Sequence, residues 1–322
     1  MTFLSADLSI RPSPVPLLTA GTTPYRLDRA ARRGDLVVLA RGIYAPADAY
    51  RALPPWERYL ARVHAVARTR PDAIFGWESA AALSGLPLFG EPRHVHVLSP
   101  FAGTSRVVSS VREHTTVDRR EIVRGEGIMI TSPAETAVDL CRSRHPAVGV
   151  AVADAVLRED HAVGIDDLVH LNETRATSRG RRTARWCLER ATALSETALE
   201  SVSRCAIEWL GYPVPELQVE VRLGSRSYRL DMLWRREAVG GEADGRVKYD
   251  GSHGDPSMIV FEEKRREDAL RRTLRGFARW GWPELQHPAD LARTLEAAGL
   301  KQVQLADLHR LHTLPAALAG AE

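Results

Sequence analysis

Residues 227–248 read SYRLDMLWRREAVGGEADGRVK, and the acids in this stretch decide how the C-terminal third of the chain is read. The run from Tyr228 to Trp234 is rich in the aromatic and apolar residues that strands favour. Alternation along it sets Tyr228, Leu230 and Met232 on one side and Arg229, Asp231 and Leu233 on the other. Eleven residues separate Asp231 from Glu242. That length suits a turn between adjacent antiparallel strands, which brings the two carboxylates together on a sheet. Such a pair can hold Mg²⁺, a hard cation that takes oxygen ligands and keeps several waters. The ion orients a water and stabilises charge growing on a phosphate, and a lysine nearby, Lys248, can offset the same charge. The same residues read equally well as a strand-end acid and a charged turn, so spacing alone leaves both open.

On the N-terminal side of this stretch, SETALESVSRCAIEWLGY predicts a helix that sets Glu196 and Glu200 one turn apart on the same face. A strand, ELQVEVRL, follows with Gln218 at its centre, and then a turn at Gly224-Ser225.

Upstream, Ser132-Pro133-Ala134-Glu135 has the capping-box pattern, with serine at the N-cap, proline at the first helical position and glutamate three residues on. It predicts a helix start and no chemistry. Further helices are expected from about Ala147 to Leu157 and from Ile165 to Glu173. Six arginines stand against Glu189 between Arg175 and Arg190, which reads as an exposed basic helix or linker. RHVHVLSP and VVSSVREH read as strands. His94 and His96 then share a face, and with no carboxylate or cysteine evident beside them a polar sheet face is favoured over a metal site. Trp56 to Arg70 reads as an amphipathic helix, and the small residues from Glu78 to Leu83 as a close-packed one ending at Gly85.

The first twenty residues carry Pro12, Pro14 and Pro16 and read as irregular. A short basic helix is expected from Tyr25 to Arg33, ending at Gly34. LVVLARGIYAP then has the composition of a tight hairpin about Arg41-Gly42. Helix followed by hairpin is how the end of a winged helix-turn-helix reads, with the helix in the major groove and the wing on phosphate. Arg29, Arg32, Arg33 and Arg41 are the candidate DNA contacts; alternatively they form a solvated face.

The 322 residues suit at least two domains. The net charge of +3 hides an asymmetry, because residues 1–70 hold 11 basic and 5 acidic side chains whereas residues 191–322 hold 18 and 20. Only Lys248, Lys264 and Lys301 among the 44 basic residues are lysine. Cys141, Cys187 and Cys205 are odd in number and widely spaced, which supports neither a disulfide framework nor a zinc ribbon. No signal pattern opens the chain, and no apolar run approaches the roughly 18 residues of a membrane span. The expected compartment is the cytoplasm.

Two resemblances bear on these alternatives. From Ser195 to about Leu295 the chain resembles the Vsr-like group of the PD-(D/E)XK endonuclease superfamily. The resemblance is carried by the helix with Glu200, PELQVEV, YRLDMLW, EADGRVKY, the REDALRR helix and the RWGW strand. It implies a restriction-endonuclease-like domain that hydrolyses phosphodiesters with Mg²⁺. Asp231 and Glu242 would bind the metal, Glu200 would complete the site, and Gln218 and Asp244 would be additional polar contributors. The superfamily's Glu-x-Lys is Glu242-Ala243-Asp244 here, so Lys248 must stand in for the lysine. Gly240-Gly241 occupies what should be an apolar strand, which glycine weakens. DGSHGDPSM, after Tyr249, reads as a loop insertion.

The front resembles AbiEi-type antitoxins and transcriptional regulators through RRGDLVVLARGIYAP, ESAAALSGLPL and TSPAETAVDL. That resemblance implies a winged helix-turn-helix. The expected architecture is thus an α+β and α/β multidomain chain: a winged helix-turn-helix region at 1–52, a mixed α/β middle domain at 53–190, a nuclease-fold domain at 191–300 and a tail at 301–322. The expected function is Mg²⁺-dependent cleavage of DNA. The alternative is an AbiEi-type antitoxin or regulator, with a cognate toxin as partner, whose nuclease fold is inactive.

Overall fold

In a computed structural model of the protein, residues 2–7, 9–21, 26–99, 103–223, 226–244 and 273–320 are described. They form a mixed α/β protein with three sheets and, among the described residues, twelve helices.

The chain starts with β1 (Thr2–Asp7), then α1 (Leu27–Arg33), the hairpin β2 (Leu36–Ala40) and β3 (Ile43–Pro46), α2 (Ala47–Ala52) and α3 (Pro55–Thr69). Helix α1 stops at Gly34, whose φ of +88° is a left-handed cap that glycine adopts without steric cost. The hairpin turns at Arg41-Gly42, again with glycine at positive φ. Leu39, Ile43 and Ala45 bury against Ala61 and Ala65 of α3, so the hairpin is fastened to the rest of the molecule by its apolar face.

The middle of the chain adds β4 (Ile74–Phe75), α4 (Trp77–Ser84), β5 (Val95–Leu98), β6 (Arg106–Val108), β7 (Val111–His114), β8 (Glu121–Gly125) and β9 (Ile128–Thr131). With β1 they build a seven-stranded mixed sheet in the order β1-β8-β9-β4-β5-β7-β6. Four helices follow: α5 (Pro133–Ser143), α6 (Pro146–Glu159), α7 (Ile165–Thr174) and α8 (Arg181–Leu188). His94 and His96 do not form a polar sheet face. Both are buried, and His96 Nδ1 lies 2.9 Å from His114 Nε2 while its Nε2 lies 3.6 Å from Glu78 Oε2. The basic segment from Arg175 to Arg190 is not a free linker either. Arg175 is buried, and Ala184, Cys187 and Leu188 put one side of α8 into the core.

Only half of the capping box at Ser132 forms. The Ser132 hydroxyl accepts from the Glu135 N–H at 3.3 Å, but the Glu135 carboxylate turns away from the cap. It accepts from Arg120 Nη1 at 2.8 Å, from the Glu121 N–H at 3.1 Å and from Arg175 Nη2. One turn on, Asp139 accepts from Arg120 Nη2. Burial outweighs the arginine charges and pushes the Glu135 carboxyl up to about 7 and that of Asp139 up to about 6.

The C-terminal part consists of α9 (Ala198–Trp209), β10 (Glu216–Leu223), β11 (Arg226–Trp234), β12 (Val239–Ala243), β13 (Gly276–Trp280), α10 (Trp282–Gln286), α11 (Pro288–Ala297) and α12 (Leu308–Leu318). Its four-stranded sheet runs β10-β11-β12-β13, antiparallel up to β12 and parallel between β12 and β13. One continuous core joins α5, α6 and α8 to α9 and to Met232, Trp234 and Trp280. Residues beyond 300 share it, since Leu311, Leu314 and Leu318 of α12 are buried there. Asp154 of α6 is fully buried at this junction, where it accepts from Ser201 Oγ at 2.7 Å, Arg204 Nη2 at 2.6 Å and the Thr192 N–H at 2.8 Å. No helix among the described residues is long and apolar enough to cross a membrane.

Gly240 and Gly241 do not interrupt β12. A Cβ on Gly241 would lie 2.8 Å from Trp280 Cη2 and 2.9 Å from Trp234 Cζ3, and one on Gly240 would lie 2.7 Å from Leu274 Cδ1. The pair leaves room for large side chains packed over the strand, which repays the strand propensity that glycine gives up.

Two measurements follow from this packing. Gly241→Ala should lower the free energy of urea unfolding by about 1–3 kcal/mol, because neither indole ring can retreat from a packed core. Glu135 supplies the second. Because its folded pKa is raised, its contribution to stability is complete below the ordinary carboxylate value of 4.5 and is lost as pH rises to about 7. The stability of the wild type relative to Glu135→Gln should therefore decline across that interval by about 1–3 kcal/mol.

Candidate active site

The strand register sets out the site. Leu217 pairs with Met232 and Val219 with Leu230, so Gln218 stands opposite Asp231. Met232 pairs with Gly241, and one residue further the same register brings Asp231 opposite Glu242. Glu242 in turn pairs with Arg279 on β13. These four polar residues thus occupy successive register positions in a row across four strands, and Glu242 and Arg279 are directly opposed.

Hydrogen bonds fix the row. The Ala243 N–H donates to Asp231 Oδ2 at 3.0 Å, and Arg279 Nη2 donates to Glu242 Oε2 at 2.8 Å. Arg279 Nη1 also lies 4.0 Å from Asp244 Oδ2. Glu242 is buried, while Asp231 and Asp244 are partly exposed. Alternation explains why Glu242 and Arg279 are available. Met232, Trp234 and Trp280 go into the core beside α9, and Trp280 Nε1 donates to Ser203 Oγ at 2.8 Å. Arg279, between Ala278 and Trp280, and Glu242, next to Gly241, point to the other side of the sheet, where Phe277 and Leu233 lie. Leu230 lies there too and not with Met232, so the alternation expected from Tyr228 to Leu233 does not run unbroken through Asp231.

Glu200 approaches from the helix. Thr197 is the N-cap of α9, and its hydroxyl accepts from the Glu200 N–H at 3.2 Å. The Glu200 carboxylate accepts from the Glu196 N–H at 2.9 Å, from the Thr197 hydroxyl at 3.0 Å and from Gln218 Nε2 at 2.9 Å. Glu196 therefore precedes the helix and does not share a helical face with Glu200, because Thr197 caps the helix between them. Glu196 instead accepts from Arg229 at 2.7 Å. Gln218 has φ of +50°, a left-handed conformation inside a strand, which gives its side chain an unusual exit toward Glu200.

Lys248, the REDALRR segment and the DGSHGDPSM segment lie outside the described residues. Among the described residues no three His, Cys, Asp or Glu side chains come together as a metal cluster. Asp231 and Glu242 are a pair of oxygen donors, which is as many carboxylates as a water-rich Mg²⁺ site takes. Arg279 is the site residue that the sequence did not point to. Its partner Glu242 is brought to it by a parallel pairing across more than thirty residues, and no local spacing carries that information. At the front of the molecule Arg29, Arg32, Arg33 and Arg41 are all exposed on α1 and the hairpin, with Arg33 paired to Asp35 at 3.0 Å.

No protein-family model matches the chain. It is 30% identical over 247 residues to the uncharacterized protein Rv2248 of Mycobacterium tuberculosis strain H37Rv, which covers 76% of this chain and 84% of the relative. The uncharacterized protein MT2308 of M. tuberculosis strain CDC 1551 matches to the same extent. With that identity sustained over most of both proteins, the chain belongs to the family of Rv2248 and MT2308.

Proposed function

We propose that this protein is a DNA-directed, Mg²⁺-dependent endonuclease, with a winged-helix front that binds duplex DNA and a restriction-endonuclease-like C-terminal part that hydrolyses a phosphodiester. The reading rests on Asp231 standing opposite Glu242 on neighbouring strands, with Gln218 and Arg279 completing the row. It is also supported by a short helix and a two-stranded hairpin that carry four exposed arginines.

Asp231 and Glu242 would hold the ion, with Asp244 close by. When bound, the ion supplies a water of lowered pKa and offsets charge on the phosphate. The chain's own groups do the rest. The Ala243 N–H holds Asp231 Oδ2 and so fixes the direction of its carboxylate. Arg279 orients Glu242 and brings a positive charge beside the pair. Glu200 holds Gln218 at the end of the row.

A second reading keeps the DNA-binding front and drops the chemistry: an AbiEi-type antitoxin or regulator, acting with a cognate toxin, whose nuclease fold is inactive. One observation favours it. The Arg279 guanidinium already occupies an oxygen of Glu242, which lowers the negative charge offered to a cation.

Nicking of supercoiled, linear and mismatched DNA by the full chain in Mg²⁺ separates the two. Under the first reading Asp231→Ala and Glu242→Ala should each lose about 100-fold or more, and activity equal to wild type would remove the site assignment. Under the second reading no cleavage appears, yet binding to the protein's own promoter is retained. In both readings that binding should weaken sharply in the Arg32→Ala, Arg33→Ala, Arg41→Ala triple variant and should fall with added salt.

A further inference from the structure

A groove of about 770 Å³ lies on the middle of the molecule, among residues that the nuclease reading does not use. Among the described residues seven arginines and two carboxylates, Asp118 and Asp139, line it. Its volume falls in the range of sites that enclose a small organic ligand, roughly 300–1,000 Å³.

The arginines divide by what neutralises them. Arg120 and Arg175 are bound into the buried Glu135 and Asp139 network, and each keeps an Nε–H without a hydrogen-bond partner. Arg144 is held by both oxygens of Glu78, and Arg106 by Glu113 at 2.7 Å. Arg142 is different. Its Nη1 donates to the backbone oxygen and Oδ1 of Asn172 at 3.0 and 2.8 Å, and its Nη2 donates to the Thr177 oxygen, all neutral acceptors. Burial and the nearby Arg181 charge lower its pKa, against the opposing pull of Asp139, Asp118 and Glu173, none of which accepts a hydrogen bond from it. Arg179, on the same wall, is exposed. The groove thus presents one fixed guanidinium group, that of Arg142, whose hydrogen bonds all go to neutral oxygens, and an exposed one, that of Arg179.

Two aromatic rings stand in the same lining. Trp77 has φ of +49° at the start of α4, a costly conformation for a bulky residue. Its ring stacks on His114 with centroids 3.8 Å apart and planes at 20°, the Arg120 guanidinium lies 5.8 Å from its centroid, and Trp77 and His114 both line the groove. The backbone is strained where the aromatic ring is delivered, a coincidence typical of ligand-holding positions.

We propose that this groove binds a nucleotide, with phosphate on Arg142 and Arg179 and the base against the Trp77–His114 wall. The guanidinium fork matches phosphate oxygens, and flat rings match a base of any sequence. The ligand is a free nucleotide or one link of a single strand, and both present the same chemistry. The proposal does not depend on the Asp231–Glu242 site or on the N-terminal arginines.

Two probes on the full chain at low ionic strength test it: adenosine 5′-monophosphate by calorimetry and fluorescein-labelled (dT)₁₂ by anisotropy. Saturable binding of either supports the site. If the mononucleotide binds and displaces the strand, the ligand is a free nucleotide, and if only the strand binds, it is a strand. Arg142→Gln with Arg179→Gln should weaken binding roughly tenfold or more, with Arg179→Gln alone and Trp77→Phe giving smaller losses. The exposed Arg179 and the conservative Trp77→Phe keep the test usable if Arg142→Gln fails to fold. Arg293→Gln, an exposed arginine outside both the groove and the N-terminal front, should leave both affinities unchanged. Absence of binding by both probes, or wild-type affinity in folded groove variants, overturns the proposal.

Discussion

Two acids one turn apart on α5, Glu135 and Asp139, are buried in the middle of this protein, and the surrounding structure is organised by the need to compensate them. Like charges at that spacing repel along a helix, and an unpaired buried charge costs several kcal/mol. Arg120, just before β8, and Arg175, just after α7, answer both problems. Because each arginine reaches a carboxylate from a different part of the chain, the sheet, α5 and the link into α8 are tied at one point. The same two arginines form part of the groove wall. The contact that closes the core is therefore also what makes that groove cationic.

The C-terminal sheet solves a steric problem in a comparable way. Trp234 and Trp280 are among the largest groups in the shared core, and each indole N–H has an acceptor, the Pro213 oxygen at 2.6 Å and Ser203 Oγ at 2.8 Å. Gly240 and Gly241 make room for the bulky side chains over β12. With the rings taken up on the α9 side over Gly241, alternation directs Glu242 and Arg279 to the other. The Glu242 and Arg279 pair and the aromatic packing are two sides of one pleat, so a change to either is felt by both.

What the sequence disclosed was mostly local. The hairpin at Arg41-Gly42, the start of α5 at Ser132 and the adjacency of Asp231 and Glu242 each depend on residues close together in the chain. Glycine at positive φ, a capping hydroxyl and a short strand connection carry those signals. Where competition between partners decides, the sequence was silent or misleading. Glu135 has the position of a capping-box glutamate but finds arginines and a backbone N–H nearer, and its carboxylate leaves the cap. His96 has Glu78 and His114 as neighbours only because a parallel pairing of β5 with β7 and the start of α4 bring them there. Arg279 meets Glu242 by the same kind of non-local pairing. Gly240-Gly241 looked like a flaw in a strand because the rings it accommodates stand apart from it in the chain or on the next strand.

The preference for arginine, 41 of 44 basic residues, connects these observations. A guanidinium is a planar fork with five donors, and it keeps its charge when buried. It can therefore serve two oxygens of one carboxylate, as Arg144 does with Glu78, or one oxygen on each of two, as Arg120 does with Glu135 and Asp139. Lysine offers a single charged centre and can shed its proton in such surroundings. In a protein held together by forks, the number of carboxylates limits how many forks close on themselves. Where an arginine ends on carbonyl oxygens, as Arg142 does, no carboxylate takes up its hydrogen bonds, and Asp118, Asp139 and Glu173 act on its charge only from a distance.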